Sequence, residues 1–174
     1  MMNLKDAIRT VPHWPIESVT FRDITSLLLD PDAFRAACDA LYERYKEVEI
    51  DKIVGIDARG FFFAAVLAYK LGIGFVPVRK KGKLPPETIQ QEYTLEYGTN
   101  VVEMRDDAIQ KGEKVLIVDD LIATGGTISA AAKLVERLGG EVLECAFVIE
   151  LPDLKGREMI RDYKVFTLTE FEGE

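Results

Sequence analysis

The amino-acid sequence predicts an α/β fold: a doubly wound, mostly parallel sheet flanked by helices. Three observations carry that expectation. Short, β-branched, continuously apolar runs recur, the strongest being KVLIVDD at 114–120, and such runs suit strands buried on both faces. Helical patterns separate them, so β and α alternate and the crossovers should be right-handed. The 174 residues, 48% hydrophobic and 30% charged, have the size and balance of one globular unit, so residues 1–174 are read as a single domain.

The elements follow in order. Met2 to Val11 puts Leu4, Ala7, Ile8 and Val11 on one stripe, which reads as a short amphipathic helix stopped by Pro12. Asp30-Pro31 is a helix start, with Asp as N-cap and Pro at the first helical position. Phe34, Cys38, Leu41 and Tyr45 then mark the buried face of a helix running to about Val48. Lys52 to Asp57 is a short strand, Phe61 to Leu71 a helix ended by Gly72, and Gly74 to Val78 a second strand. Arg79 to about Thr94 breaks the alternation. Its adjacent prolines and sparse apolar residues read as a long functional loop. Lys114 to Asp120 is the strongest strand, Thr127 to Leu138 a helix closed by Gly139-Gly140, Glu141 to Glu150 another strand, and Tyr163 to Leu168 the last. Folds of this kind place ligands beyond the carboxyl ends of their strands, which directs attention to the segments after Asp57, Val78 and Asp119.

Composition narrows the function. A net charge of −8 repels nucleic-acid backbones and anionic lipid, so neither is an expected partner. Cys38 and Cys145 form no disulfide framework and suit a reducing cytoplasm. The longest apolar run, Phe61 to Tyr69, is too short to span a bilayer, and MMNLKDAIRT lacks a signal-peptide core. A single histidine, His13, leaves no His-rich metal cluster, no HExxH and no partner for a GxSxG serine. Core packing is the reading for His13, Trp14 and both cysteines.

The chemistry concentrates in VLIVDDLIATGGT, residues 115–127. A buried strand ends in Asp119 and Asp120, a bend of small residues follows, and a helix opens at Thr127. Small residues let the backbone close on an anion, the helix start offers free N–H groups, and Thr124 and Thr127 add hydroxyls. The acids repel a second phosphate but accept hydrogen bonds from a diol, so the run describes a cradle for a ribose 5-phosphate. A tight turn with an Asp helix cap competes for a bare TGG, and less well for the full run. There is no GK[ST] and no GxGxxG opening a helix.

This run resembles the signature of the type I phosphoribosyltransferases, which bind 5-phosphoribosyl 1-diphosphate (PRPP). Within them the chain is similar to the adenine phosphoribosyltransferases, through VTFRDIT (19–25), GIDARGF (55–61), FVPVRKKGKLP (75–85), YTLEYG (93–98), the PRPP run and LKGRE (154–158). The resemblance implies that fold, with a small N-terminal hood and a mobile loop. It implies that Asp119 and Asp120 hold the ribose hydroxyls, and that Ala123, Thr124, Gly125, Gly126 and Thr127 hold the 5-phosphate. Asp57, Ala58 and Arg59 resemble the pyrophosphate loop, often built on a cis peptide, with Arg59 also reading the adenine edge. Phe21 and Leu121 resemble the pair that sandwiches the purine, helped by backbone near Thr20. Arg79 and Lys83 resemble pyrophosphate ligands, partly donated across a homodimer interface, and Glu96 with Tyr97 the catalytic tip of the mobile loop. Mg²⁺ is implied as an ion carried by PRPP and pyrophosphate, with no protein ligand of its own.

The residues support parts of this directly. Arg79, Lys80, Lys81 and Lys83 place four cations within five residues of an acidic chain, a local positive patch directly after a strand end that fits a polyanion. In relatives acting on 6-oxopurines an Asp that serves N7 stands where this chain has Ala123, so the proton work moves to Glu96 and adenine is favoured. The expected reaction gives AMP and pyrophosphate from adenine and PRPP. The alternatives are a 6-oxopurine phosphoribosyltransferase and a non-catalytic PRPP-sensing regulator on the same fold.

Overall fold

The computed structural model of the chain describes residues 2–95 and 98–173. The elements run α1 (Leu4–Ala7), β1 (Arg9–Pro12), β2 (Thr20–Asp23), α2 (Ile24–Leu29), α3 (Pro31–Tyr45), β3 (Lys52–Ile56), α4 (Gly60–Leu71), β4 (Gly74–Lys80), β5 (Thr88–Leu95), β6 (Gly98–Arg105), β7 (Lys114–Ile122), α5 (Gly126–Arg137), β8 (Glu141–Glu150), α6 (Gly156–Met159) and β9 (Val165–Glu170). Seven strands form one sheet in the order β5-β6-β4-β3-β7-β8-β9. From β4 to β9 neighbouring strands are parallel, while β6 runs antiparallel to both β4 and β5. The expected mostly parallel, doubly wound sheet is therefore present.

Both faces of the sheet are buried, which explains why the central strands read as unbroken apolar runs. Ile53, Leu116, Val118, Ala146 and Val148 pack with α3 and α4 on one side. Val54, Ile56, Val115, Ile117, Cys145 and Phe147 pack with α5 on the other. The start of α3 is as expected: Asp30 accepts from the N–H groups of Asp32 and Ala33, and Pro31 opens the helix. Gly72 closes α4 in the left-handed conformation at φ 70°, which a residue with a Cβ adopts at a penalty.

Four expectations need correcting. The N-terminal helix stops at Ala7, and residues 9–12 pair with 20–23 as a separate antiparallel ribbon. A single helical turn is too short to sustain itself, and Thr10 and Val11 are β-branched, so the chain leaves the helix and builds the hood as strands. The long loop from Arg79 is largely ordered β structure. β4 extends to Lys80, and β5 pairs with β6 in an edge hairpin. Among the described side chains of β5, Ile89 and Tyr93 pack on the α5 side of the core, so a half-exposed strand left too few apolar residues to read. The strand bearing the acid pair does not end there: Leu121 and Ile122 continue it against Ile149 and Glu150. Finally, His13 and Trp14 are exposed, Trp14 by 52%, whereas Cys38 and Cys145 are buried free thiols as expected.

Candidate active site

The carboxyl ends of β3, β4 and β7 open into a cleft of about 520 Å³, within the range of small-ligand sites. It brings together Asp57, Ala58, Arg59, Arg79, Asp119, Asp120, Leu121 and the whole bend from Ala123 to Thr127. These come from the three segments to which the strand ends pointed. Thr20, Phe21 and Lys83 are not in its wall. Thr20 and Phe21 belong to the hood, where the Arg59 guanidinium lies 5.9 Å from the Phe21 ring. Trp14 meets Phe21 edge-on at 4.6 Å. Lys83 lies in the exposed turn after β4. Glu96 and Tyr97 lie outside the described residues.

One wall is the bend. Gly125 has φ 84° and stands at the N-cap of α5, so the chain turns left-handed directly before the helix. No side chain caps α5, and the first-turn backbone of Gly126, Thr127 and Ile128 lines the cleft. First-turn N–H groups that no side chain caps and the positive end of the helix dipole suit an anion there.

Beside the bend stand the acids. The Asp120 N–H donates to Asp119 Oδ1 at 2.8 Å, and Arg59 Nε donates to Asp120 Oδ2 at 2.7 Å. Burial and the adjacent Asp120 carboxylate raise Asp119 well above its ordinary value. Gly60 makes this proximity possible: a Cβ there would fall 2.7 Å from Asp119 Oδ1, so only glycine lets α4 start against β7. The Asp57–Ala58 bond is cis, in line with the resemblance.

The opposite wall is cationic. Arg79 Nε donates to Asp57 Oδ2 at 2.8 Å, and its Nη1 donates to the Lys83 carbonyl at 3.0 Å. The turn itself hangs on Glu103, which the sequence reading passed over. Glu103 is 2% exposed; its Oε1 accepts from the N–H groups of Lys83 (3.0 Å) and Leu84 (2.8 Å), and Gln90 Nε2 donates to Oε2 at 3.4 Å. Burial alone would raise this carboxyl, but the N–H groups of Leu84, Gly82 and Lys83 hold it below its ordinary value. A signal was available: Glu103 is an acid inside the apolar run VVEM. Chemically, the cleft offers an anion seat at one end, hydrogen-bond acceptors in the middle and cations at the other end.

The chain is similar to known proteins along almost its whole length. The phosphoribosyl transferase domain family matches residues 24–174. The adenine phosphoribosyltransferase of Desulfosudis oleivorans is 68% identical over 173 residues, covering 99% of this chain and 100% of that protein. Among solved structures, the adenine phosphoribosyltransferase of Thermoanaerobacter pseudethanolicus superposes with a TM-score of 0.93 at 49% identity, covering 97% of this chain and 98% of that one. The Saccharomyces cerevisiae enzyme, complexed with an imino-altritol bisphosphate and adenine, superposes at 0.90 with 46% identity, covering 95% and 96%.

Proposed function

The chain belongs to the adenine phosphoribosyltransferases, and from that premise we propose how its cleft does the work. It transfers the 5-phosphoribosyl group from PRPP to adenine, giving AMP and pyrophosphate, a purine-salvage reaction. One observation supports the site assignment above the rest: the bend, the acid pair and the cations Arg79 and Lys80 at the end of β4 meet in one cleft at the strand ends.

The bend from Ala123 to Thr127 seats the 5-phosphate through backbone N–H groups and hydroxyls. Asp119 and Asp120 accept hydrogen bonds from the ribose 2- and 3-hydroxyls, which offsets the repulsion between the two carboxylates. Asp57, Ala58, Arg59, Arg79 and Lys83 receive the diphosphate. Mg²⁺ enters as part of the PRPP substrate and supplies further neutralisation of the leaving pyrophosphate. Fixed cations and N–H groups stabilise charge as it develops on the leaving group. Adenine packs between Phe21 and Leu121 near Thr20, with Arg59 at its edge. Its N9 attacks C1 of the ribose with inversion. Glu96, assisted by Tyr97, carries the proton at purine N7, a role worth ~10²–10⁴-fold in rate.

The enzyme works as a homodimer in the cytoplasm. Phe62 and Tyr69 lie two turns apart on α4, 45% and 87% exposed, an apolar stripe suited to a second copy; sedimentation showing only monomers would remove this part. The buried free thiols suit a reducing compartment. The test of the reaction is turnover with PRPP·Mg²⁺ and a panel of adenine, hypoxanthine, guanine and xanthine. Adenine alone should turn over efficiently. Preference for a 6-oxopurine, or tight PRPP binding without turnover, would restore one of the two alternatives.

A further inference from the structure

Among the described residues three charged side chains are buried: Glu103, Asp120 and Glu150. Asp120 lines the cleft and Glu103 pins the cationic turn. Glu150 does neither. It ends β8, and Arg157 grips it side-on, Nε donating to Oε1 and Nη2 to Oε2, both at 2.6 Å. Thr167 Oγ1 donates to Oε2 at 3.2 Å, and Arg157 Nη1 donates to the Val165 carbonyl at 3.3 Å. Arg157 accordingly holds the Glu150 carboxyl below its ordinary value.

The pair matters because of what it holds in place. Arg157 belongs to α6, a single turn of four residues, which has no stability of its own. That turn lies against the back of the bend. A Cβ at Gly156 would fall 2.3 Å from the Ala123 carbonyl oxygen, and one at Gly125 would fall 2.5 Å from the Gly156 carbonyl oxygen. Backbone thus rests on backbone with no side chain between, and the Leu151 N–H donates to the Ile122 carbonyl at 3.1 Å just before. A buried ion pair is a poor device for stability, since an apolar pair of like volume often serves as well or better. A bidentate pair is a good device for fixing geometry.

We propose that Arg157, acting through Glu150, is a positioning residue that sets the depth of the bend at Ala123–Thr127 and so its grip on the substrate's phosphate. The proposal rests on the reading of that bend as the phosphate seat. It gives LKGRE at 154–158 a physical role: glycine for the close approach and arginine for the anchor.

The test is calorimetric titration of wild type, Arg157→Gln and Glu150→Gln with AMP and with adenosine, which lacks the phosphate. A displacement near 1 Å at a binding group can reduce function by ~10²-fold, so both variants should lose about tenfold or more in AMP affinity. Adenosine affinity should stay within about twofold. In the assay, the KM for PRPP should rise more than kcat falls. Equal losses for AMP and adenosine, or no loss for either, would overturn the proposal. If Arg157→Gln fails to fold, Arg157→Lys keeps the charge but not the two-pronged grip, and the same comparison decides. Wild type binding AMP no better than adenosine would instead reject the phosphate seat itself, so the two failures are distinguishable.

Discussion

On one side of the cleft Asp119 sits against Asp120; behind the other, beneath the turn that follows β4, Glu103 faces the N–H groups of Lys83 and Leu84. Both carboxyls are withdrawn from water, yet they respond in opposite directions. Asp119 is raised by burial and its anionic neighbour, and Glu103 is lowered because backbone donors outweigh its burial. The first carboxylate is held in an unfavourable state that a ligand rich in hydroxyl donors would relieve. The second is already satisfied by the protein and contributes architecture. The contrast separates a carboxylate arranged for a substrate from one arranged for the chain.

The largest effect should come from the substrate wall. Asp119→Asn combined with Asp120→Asn removes both anionic acceptors while keeping side-chain shape. Hydrogen bonds to charged groups are worth about 1.5–3 kcal/mol each, so PRPP affinity should fall by about 10²-fold or more in a direct binding titration. Unchanged affinity would refute the ribose assignment.

A smaller effect should come from the architectural wall. Glu103→Gln retains one acceptor oxygen but loses the charge, and it turns an amide toward the Gln90 amide. The turn bearing Lys83, whose carbonyl accepts from Arg79, should loosen, raising the KM for PRPP by about tenfold while kcat changes less, on the same scale of charged hydrogen bonds. Steady-state kinetics with PRPP varied at saturating adenine checks this. A drop confined to kcat would mean that Glu103 serves the chemical step instead.

The two walls also differed in how legible they were. Asp119, the bend and the start of α5 are contiguous within residues 115–127, so strand pattern, small residues and helix start could be read together. The central parallel strands were equally open to reading, because burial on both faces leaves an unbroken apolar run. The cationic turn is different. Lys83 was found as a charge, but its anchor Glu103 lies 20 residues away, across a hairpin whose exposed face hides its strand period. Arg157 and Glu150 were separated in the same way by a turn and an unrecognised helix. The common thread is an acid embedded in an apolar run, as in VVEM, FVIEL and VLIVDD. That signal was used for the last and overlooked in the other two. The hood failed for another reason: a helical stripe in Met2–Val11 was real only over one turn, and strand pairing claimed the rest.

The finest test of the contrast is the pH dependence of stability. A carboxyl raised in the folded state binds its proton more tightly there than in the unfolded chain. Stability is therefore greatest while Asp119 is protonated and declines as pH rises from its ordinary value of about 3.8 through the raised one. A lowered carboxyl has the opposite sign. The contribution of Glu103 is complete above its ordinary value of about 4.5 and is lost as pH falls through the lowered one. Asp119→Asn should accordingly melt progressively higher relative to wild type as pH rises above about 3.8, despite its damaged site. Gln at 103 should melt lower than wild type at neutral pH, with the gap closing toward acid. Shifts of a few degrees are expected, since 1 kcal/mol corresponds to roughly 2–4 °C in a chain of this size. Parallel melting curves for the two variants would dissolve the distinction between the walls.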